Sequence, residues 1–405
     1  MVDHIEGPVF SIANPNGTVA LSGIGFTDAL PVGLVISSPN GLTGSCGGGI
    51  ITATAGSNSI ILSGAALAAT ATCTFTVNVT GKIAGPQNNA TSVVTSIQGG
   101  NGGTASASIT VVAPPSIKKA FAAPAIVLGS STALSFTIIN PNATVALTAV
   151  GFTDSLPSGL VVATPNHLTG SCGGGSITAI AGSHSISLSG ATLAASSSCT
   201  FAVNVTGTIV GKQVNTTGAI TSLEGATGNM ASATVSVLAP ALTNYFSNAN
   251  TAGTPDETVR ITNPGISGRK LCADIFVFDA NQELSECCSC TVAPDGLLTL
   301  SVNADLTGNP LTGTILTTGV IQIIPAATTG GMCPLPTAMT PQQALRAWST
   351  HIQEDSDVTE SSSPITAISL EDLSALEAVC SYIQGGGGGH GICANSAALT
   401  AICNN

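Results

Sequence analysis

The residues of this 405-residue chain with chemical potential are twelve cysteines, a few acids and one lysine pair. Four cysteines form a matched set: Cys46 and Cys73 recur 126 positions on as Cys172 and Cys199. The other eight are Cys272, Cys287, Cys288, Cys290, Cys333, Cys380, Cys393 and Cys403. The run "ECCSC" (286–290) invites a metal reading, but zinc sites usually pair two cysteines spaced by about two to four residues with a second such pair, or with histidines. Here the spacing is irregular, and His351 and His390 lie far off in sequence. An even cysteine total in a chain poor in lysine fits disulfides in an oxidising compartment. One bridge per repeated pair would stabilise each unit by roughly 3–4 kcal/mol on the chain-entropy model. The remaining eight can pair in roughly a hundred ways. Cys287 and Cys288 face opposite sides of a strand and should take different partners; Cys380 and Cys393 could bracket a glycine loop.

Other arrangements carry less. "GSCGGG" (44–49, 170–175) resembles a nucleophile in a glycine turn, yet a second cysteine repeats in register with each copy. The glycine run at 385–391 lacks the G-K-[ST] ending of a phosphate loop and reads as a connector. The acid pairs Asp256/Glu257 and Glu354/Asp355 could flank a glycoside, but adjacent acids on polar stretches are ordinarily solvated. His167 and His184 replace Gly41 and Asn58 of the earlier copy, so the fold does not require them. Among these residues none is assigned as catalytic, cofactor-binding or metal-binding.

These residues must be positioned by something that occurs twice. "GFTDALPVGL" (25–34) returns as "GFTDSLPSGL" (151–160), and the shift of 126 holds without a gap from Ser11–Pro114 onto Thr137–Pro240. Roughly 60% of those positions are identical, which marks an internal duplication. "STALSFTIIN" (131–140) and "TVALTAVGFT" (144–153) alternate apolar and polar residues, as half-buried strands do. Short strands with turns every eight to twelve residues or so predict a sandwich or barrel. The expected fold is mainly β: tandem immunoglobulin-like β-sandwich repeats, a third diverged β domain and a short disulfide-linked helical C-terminal segment. In the decapeptide, Phe26 and Phe152 should point inward. Asp28 and Asp154 should bond backbone N–H groups two residues on to start a turn. Pro31 and Pro157 should set its φ, and Gly33 and Gly159 should supply a positive φ. A calcium role for the two aspartates needs six or more oxygen ligands, and each copy has almost no other acid.

Lys118 and Lys119 fall on the expected first strand of the second copy. A lysine at a strand start ordinarily snorkels to water. The alternative is an amide bond to an asparagine side chain, assisted by a buried acid, for which Asn215 and Glu224 are the residues to consider. The segment "SIKKAFAAPAIVLG" (116–129) has no counterpart in the first copy, because Val2 already aligns with Leu128. The start "MVDHIEGPVF" has neither the basic nor the apolar region of a signal peptide; the first repeat is expected to be N-terminally truncated.

The phrase "NPN … FTD-LP-GL" resembles the conserved-repeat, Ig-like domains of bacterial surface and secreted proteins, over residues 1–240. The resemblance implies a stalk, adhesin or surface-display role rather than a substrate. Residues 241–405, with "VRITNPG", "FVFDANQELSECC" and "LRAWSTHIQ", are similar to a C-terminal module of bacterial secreted proteins of unknown function, which implies export.

Four segments follow. Residues 1–113 and 114–240 are the two repeats. Residues 241–327 form the diverged β domain, since "ETVRITNPG" and "CADIFVFDA" echo strands of the repeats. Residues 328–405 are a linker and a cysteine-containing helical tail. Within the tail, "TPQQALRAWSTHIQ" (340–353) predicts a helix with Thr340 as N-cap and Pro341 at its first position, Trp348 anchoring one face. "SLEDLSALEAVCSYIQ" (369–384) predicts another, with Ser369 and Asp372 as a capping-box variant. "NSAALTAIC" would add a last turn at Cys403.

Charged residues make up 7% of the chain, against roughly 25% in an average soluble protein. The net charge of −12 is uneven: residues 1–240 carry −1 and residues 241–405 carry −11. Without a basic patch, nucleic-acid binding is not expected, and no apolar run is long enough for a transmembrane helix. The leading expectation is a non-enzymatic extracellular or cell-surface protein, a spacer, adhesin or assembly component. Its partner would be an envelope protein or glycan, with self-association through edge strands as a further route. The alternatives are a carbohydrate- or calcium-dependent module in the acidic end, with Trp348, Tyr245 or Tyr382 as a stacking face, and last an extracellular enzyme.

Overall fold

Alternating strands with one apolar face must find a second apolar face, and in this chain they do so three times over. The computed structural model describes residues 7–307, 315–334, 336–352 and 358–385. Cys393, Cys403, His390, Glu354, Asp355 and the expected turn at "NSAALTAIC" lie outside the described residues. The protein is mainly β, with tandem sandwich-like sheets and one short C-terminal helix.

In the second copy, one layer orders strands Ser116–Phe121, Ser131–Ile139, Ser198–Gly207 and Leu160–Val162. The facing layer orders Ser176–Ala179, Ser185–Leu193 and Leu147–Ser155, followed by two short strands. Strand Gly211–Thr216 pairs antiparallel with the start of Ser232–Phe246, and Ala125–Val127 lies parallel to that same strand. The core is aliphatic around one aromatic cluster, in which Phe136 lies 5.2 Å from Phe152 and 5.1 Å from Phe201. Phe10, Phe26 and Phe75 repeat that cluster in the first copy, with Phe10 5.4 and 4.8 Å from the other two. Six of the ten phenylalanines thus sit where the two layers meet. Disulfides Cys46–Cys73 and Cys172–Cys199 staple equivalent places in the two cores, with Cα atoms 4.9 and 5.0 Å apart.

The recurring Asn-Pro dipeptide is a buried clamp. Asn14 Nδ2 donates to the carbonyls of Val19, Leu67 and Ala68, and Asn140 Nδ2 to those of Val145, Leu193 and Ala194. Asn263 repeats the device in the third unit, donating to Arg269 and Val292 carbonyls. Each satisfies carbonyls that would otherwise be buried unpaired. The faint sequence echo in residues 257–265 is therefore a shared structural element.

The third unit packs two sheets. One orders Gly319–Ala327, Leu271–Asp279 and Leu284–Val292 beside the second half of Ser232–Phe246, with Ile365–Ile368 added to that long strand. The other orders Leu297–Ser301, Thr258–Thr262, Arg346–Ile352 and Val358–Ser362. The helix expected at 340–353 is instead strand Arg346–Ile352, paired on both sides. Leu345, Trp348 and Ile352 imitate helical spacing, whereas the inward positions Ala347, Ser349 and His351 are small or polar and hide the strand period. Trp348 is half-buried on this strand. Strand Leu297–Ser301 is followed by a single π-helical turn, Val302–Leu306, which begins with the Ser301 side chain accepting from Ala304 N.

The helix Leu370–Gly385 lies on the outer face of the first sheet, with Leu373 buried there and Cys380 bonded to Cys287. Ser369 Oγ accepts from Asp372 N at 3.0 Å, closing the capping arrangement. Cys380 therefore does not bracket the glycine loop with Cys393. Cys272 pairs with Cys333, and Cys288 and Cys290 are also disulfide-bonded.

Candidate functional site

The aspartates of the repeated decapeptide do not start turns. Asp28 and Asp154 are the inward-facing, fully buried residues of strands Leu21–Ala29 and Leu147–Ser155. The strand period, which puts Phe26 and Phe152 inside, puts the aspartates two positions on inside as well. Asp279 of the third unit plays the expected turn role, accepting from Asn281 N and Glu283 N. The turn after each buried aspartate closes from Leu34 N to Pro31 O and from Leu160 N to Pro157 O, both 2.9 Å. Gly33 and Gly159 are not left-handed, so φ does not require glycine there; a Cβ would meet the movable amide end of the Gln87 or Gln213 side chain.

Three strands bring a charged cluster together in the second copy. Strand Ser116–Phe121 turns Lys118 outward and Lys119 inward; the Lys119 and Asp154 side chains are both 0% exposed. Lys119 Nζ donates to Asp154 Oδ1 and Oδ2, each at 2.7 Å, and lies 5.5 Å from the centre of the Phe136 ring. From strand Gly211–Thr216, whose residues alternate in and out, buried Asn215 Nδ2 donates to Asp154 Oδ2 at 3.0 Å. Asn215 Oδ1 is buried with no hydrogen-bond partner. Burial pulls the Lys119 ammonium below its usual range, and the Asp154 carboxylate opposes that pull. The snorkelling expected of Lys119 does not occur, because Asp154 gives the amine a partner inside. Glu224 takes no part: it accepts from Thr148 N and Oγ1.

The first copy holds the same site without the amine. Asn89 Nδ2 donates to Asp28 Oδ2 at 2.7 Å, while Asp28 Oδ1 and Asn89 Oδ1 have no partner. Burial raises the Asp28 carboxyl above its usual range, against the Asn89 hydrogen bond. An open groove of about 180 Å³, lined by Leu30, Leu34, Val79, Gln87, Asn89 and Ile109 among others, lies beside the pair. In the second copy the segment bearing Lys119 supplies Ile117, Ile126 and Leu128 to the core.

Elsewhere the candidate chemistry disperses. Asp256 caps the π-helical turn through Ser301 Oγ and Asn303 N, while Glu257 is buried and accepts from Ile352 N. Tyr245 stacks on His351 with ring centres 4.3 Å apart, and Tyr382 is exposed on the helix. Two buried acids flank the central strands of the third unit. Burial raises Asp274 to about 7, with the Ser289 hydroxyl donating to it, and raises Glu286 to about 7. His167 and His184 are exposed. Among the described residues, no group of three or more His, Cys, Asp or Glu side chains could hold a metal ion. The metal reading of "ECCSC" gives way to disulfide bonding of all three cysteines. Among the described residues no helix is long and apolar enough to cross a membrane.

Sequence reasoning about Lys119 named Asn215 but missed Asp154, whose role was hidden by the turn chemistry around it. The signal that could have found it was the shared strand parity of Phe152 and Asp154.

Known structures similar to this one include three from bacterial surface proteins. The C-terminal domain of the Streptococcus agalactiae AgI/II polypeptide BspA is 11% identical and is covered over 99% of its length by 57% of this chain, with a TM-score of 0.33. The major pilin subunit BcpA of Bacillus cereus is 9% identical over 97% of its length and 90% of this chain, TM-score 0.29. The full-length major pilin SpaD of Corynebacterium diphtheriae is 9% identical over 91% of its length and 88% of this chain, TM-score 0.28. Scores this low carry no argument about function. No curated protein matches the chain. A family model described as a domain of unknown function, DUF7933, matches residues 8–111 and 115–237, the two sandwiches that carry the Asp-Asn site. Spanning more than half the sequence in two tandem copies, these matches show that the chain belongs to the DUF7933 family.

Proposed function

We propose that the protein is a non-enzymatic extracellular repeat protein, a spacer at a cell surface that presents its acidic third unit to an envelope protein or glycan. The observation that carries this reading is the fifteen-residue strand Ser232–Phe246. Its first half pairs with strands of the second repeat, and its second half pairs with Gly319–Ala327 and Ile365–Ile368 of the third unit. The two units therefore share a continuous β-ladder where a hinge would otherwise sit. The joint between the repeats is also held: Ala113 N donates to Asn142 Oδ1, and Asn142 Nδ2 donates back to Ala113 O. Buried bridges in each unit suit an oxidising location. Such bracing serves a part that must hold distance and direction.

The test is immunogold labelling of intact source cells with antibodies against residues 7–307. Gold on the exterior of unpermeabilised cells is the expected result. Labelling that appears only after permeabilisation overturns the reading.

A further inference from the structure

The Lys119–Asp154–Asn215 cluster has the components of a self-made covalent cross-link. We propose that Lys119 and Asn215 join through an amide bond between Lys119 Nζ and Asn215 Cγ, with Asp154 as the catalytic proton carrier. The argument begins with what each partner lacks. A lysine wholly removed from water loses the solvation that favours its ammonium form. With Nζ 2.7 Å from both Asp154 oxygens, the proton can pass to the carboxylate and leave a neutral, nucleophilic amine. Asn215 presents its amide to the same carboxylate: Asp154 Oδ2 accepts from Nδ2 at 3.0 Å, and the carbonyl oxygen accepts nothing. One acid thus touches both the nucleophile and the leaving group, and the buried setting keeps water from competing.

The reaction balances without an oxidant or a co-reactant. The Lys119 Nζ lone pair attacks Asn215 Cγ, and the carbonyl oxygen carries the charge of the tetrahedral intermediate. Asp154 takes the amine proton and returns one to Nδ2. The Cγ–Nδ2 bond breaks, ammonia leaves, and a secondary amide remains. Lys119 belongs to the strand paired with Ser131–Ile139, and Asn215 to the strand paired with Ser232–Phe246, so the bond would tie separate ladders of one sandwich. The first copy is the internal control. Asp28 and Asn89 are placed alike, but no lysine reaches them among the described residues, and one cross-link rather than two is expected.

The test is the intact mass of the purified, folded chain after reduction, followed by peptide mapping. The expected mass is below the sequence mass by one ammonia, with a branched peptide in which Lys119 and Asn215 are joined. Asp154→Ala and Lys119→Ala should each restore the full mass and release Asn215 in a linear peptide. Because either variant could fold poorly, the decisive measurement is on the parent chain, its fold verified by circular dichroism and intact disulfides. A full sequence mass there, with Lys119 found free, overturns the proposal. So does an ammonia loss that maps to a succinimide at an Asn-Gly pair such as Asn40–Gly41 while Lys119 remains free.

Discussion

Replacing Glu286 by glutamine should remove much of the pH dependence of the third unit. Glu286 lies on strand Leu284–Val292, opposite Val277, with 0% exposure and no hydrogen bond to either carboxylate oxygen. It shares strand parity with Cys288 and Cys290, which belong to the core between the sheets. Burial alone raises its carboxyl from 4.5 to about 7. Since the folded value lies above the unfolded one, the proton binds the folded chain more tightly. The associated stability is fully present below about pH 4.5 and is lost as pH rises through about 7. At ~1.4 kcal/mol per pH unit, the ionised group costs the folded state about 3 kcal/mol at pH 8. The assay is denaturant unfolding at pH 4.5 and pH 8 with disulfides intact. Trp348, the single tryptophan, sits in this unit and reports its fluorescence alone. The parent should lose about 3 kcal/mol more than Glu286→Gln over that interval. Asp274 titrates in the same direction on the helix-covered face and is common to both proteins, so the difference isolates Glu286. An unchanged pH slope in the variant would falsify the placement of an unpaired acid in that core.

Two further outcomes are expected. Asn140→Ala removes an amide donor from the buried carbonyls of Leu193 and Ala194 and from Val145, and should destabilise the second repeat by about 2–4 kcal/mol. Hydrogen exchange should quicken in Leu147–Ser155 and Ser185–Leu193 and stay unchanged in the first repeat; equal quickening in both repeats contradicts the local role. Replacing Cys287 and Cys380 together by alanine opens a loop with a sequence separation of 93, a loss of about 4–5 kcal/mol on the chain-entropy model. A glutamate-specific protease should then cut at Glu371 and Glu377, whereas the parent helix resists, and equal resistance in both would show that Leu373 and its neighbours suffice.

The duplicated β class was legible because two independent signals coincide: strand alternation and a gapless shift of 126 residues. The inward phenylalanines were legible by the same period. Asp154 was not, since a strand-terminal aspartate before Leu-Pro-Ser-Gly has the local chemistry of a turn. Its true partner Lys119 is 35 residues away and Asn215 61 away, distances at which only tertiary packing speaks. The false helix at 340–353 failed for a related reason. A strand whose inward positions are Ala347, Ser349 and His351 buries polar atoms against neighbouring strands, and nothing in a seven-residue window reveals those neighbours. By contrast, the helix after Ser369 was legible because its cap, first-turn acids and apolar spacing agree locally.

The shared strand Ser232–Phe246 also makes the chain's two joints unlike in kind. At Ala113 the tail of the preceding copy is gripped by Asn142, and Asn16 occupies the equivalent position in the first copy, where it is exposed. The other joint is not interchangeable, because one strand runs from the sheet of the repeat into that of the third unit, and Ile365–Ile368 pairs with it across the boundary, from Ala239 to Leu242. A gene rearrangement that moved the third unit alone would cut that strand and part Ile365–Ile368 from its partners Ala239 and Pro240. The acidic unit and the repeat before it are thus one block in the architectural sense, a weld, whereas the two repeats meet at a clasp.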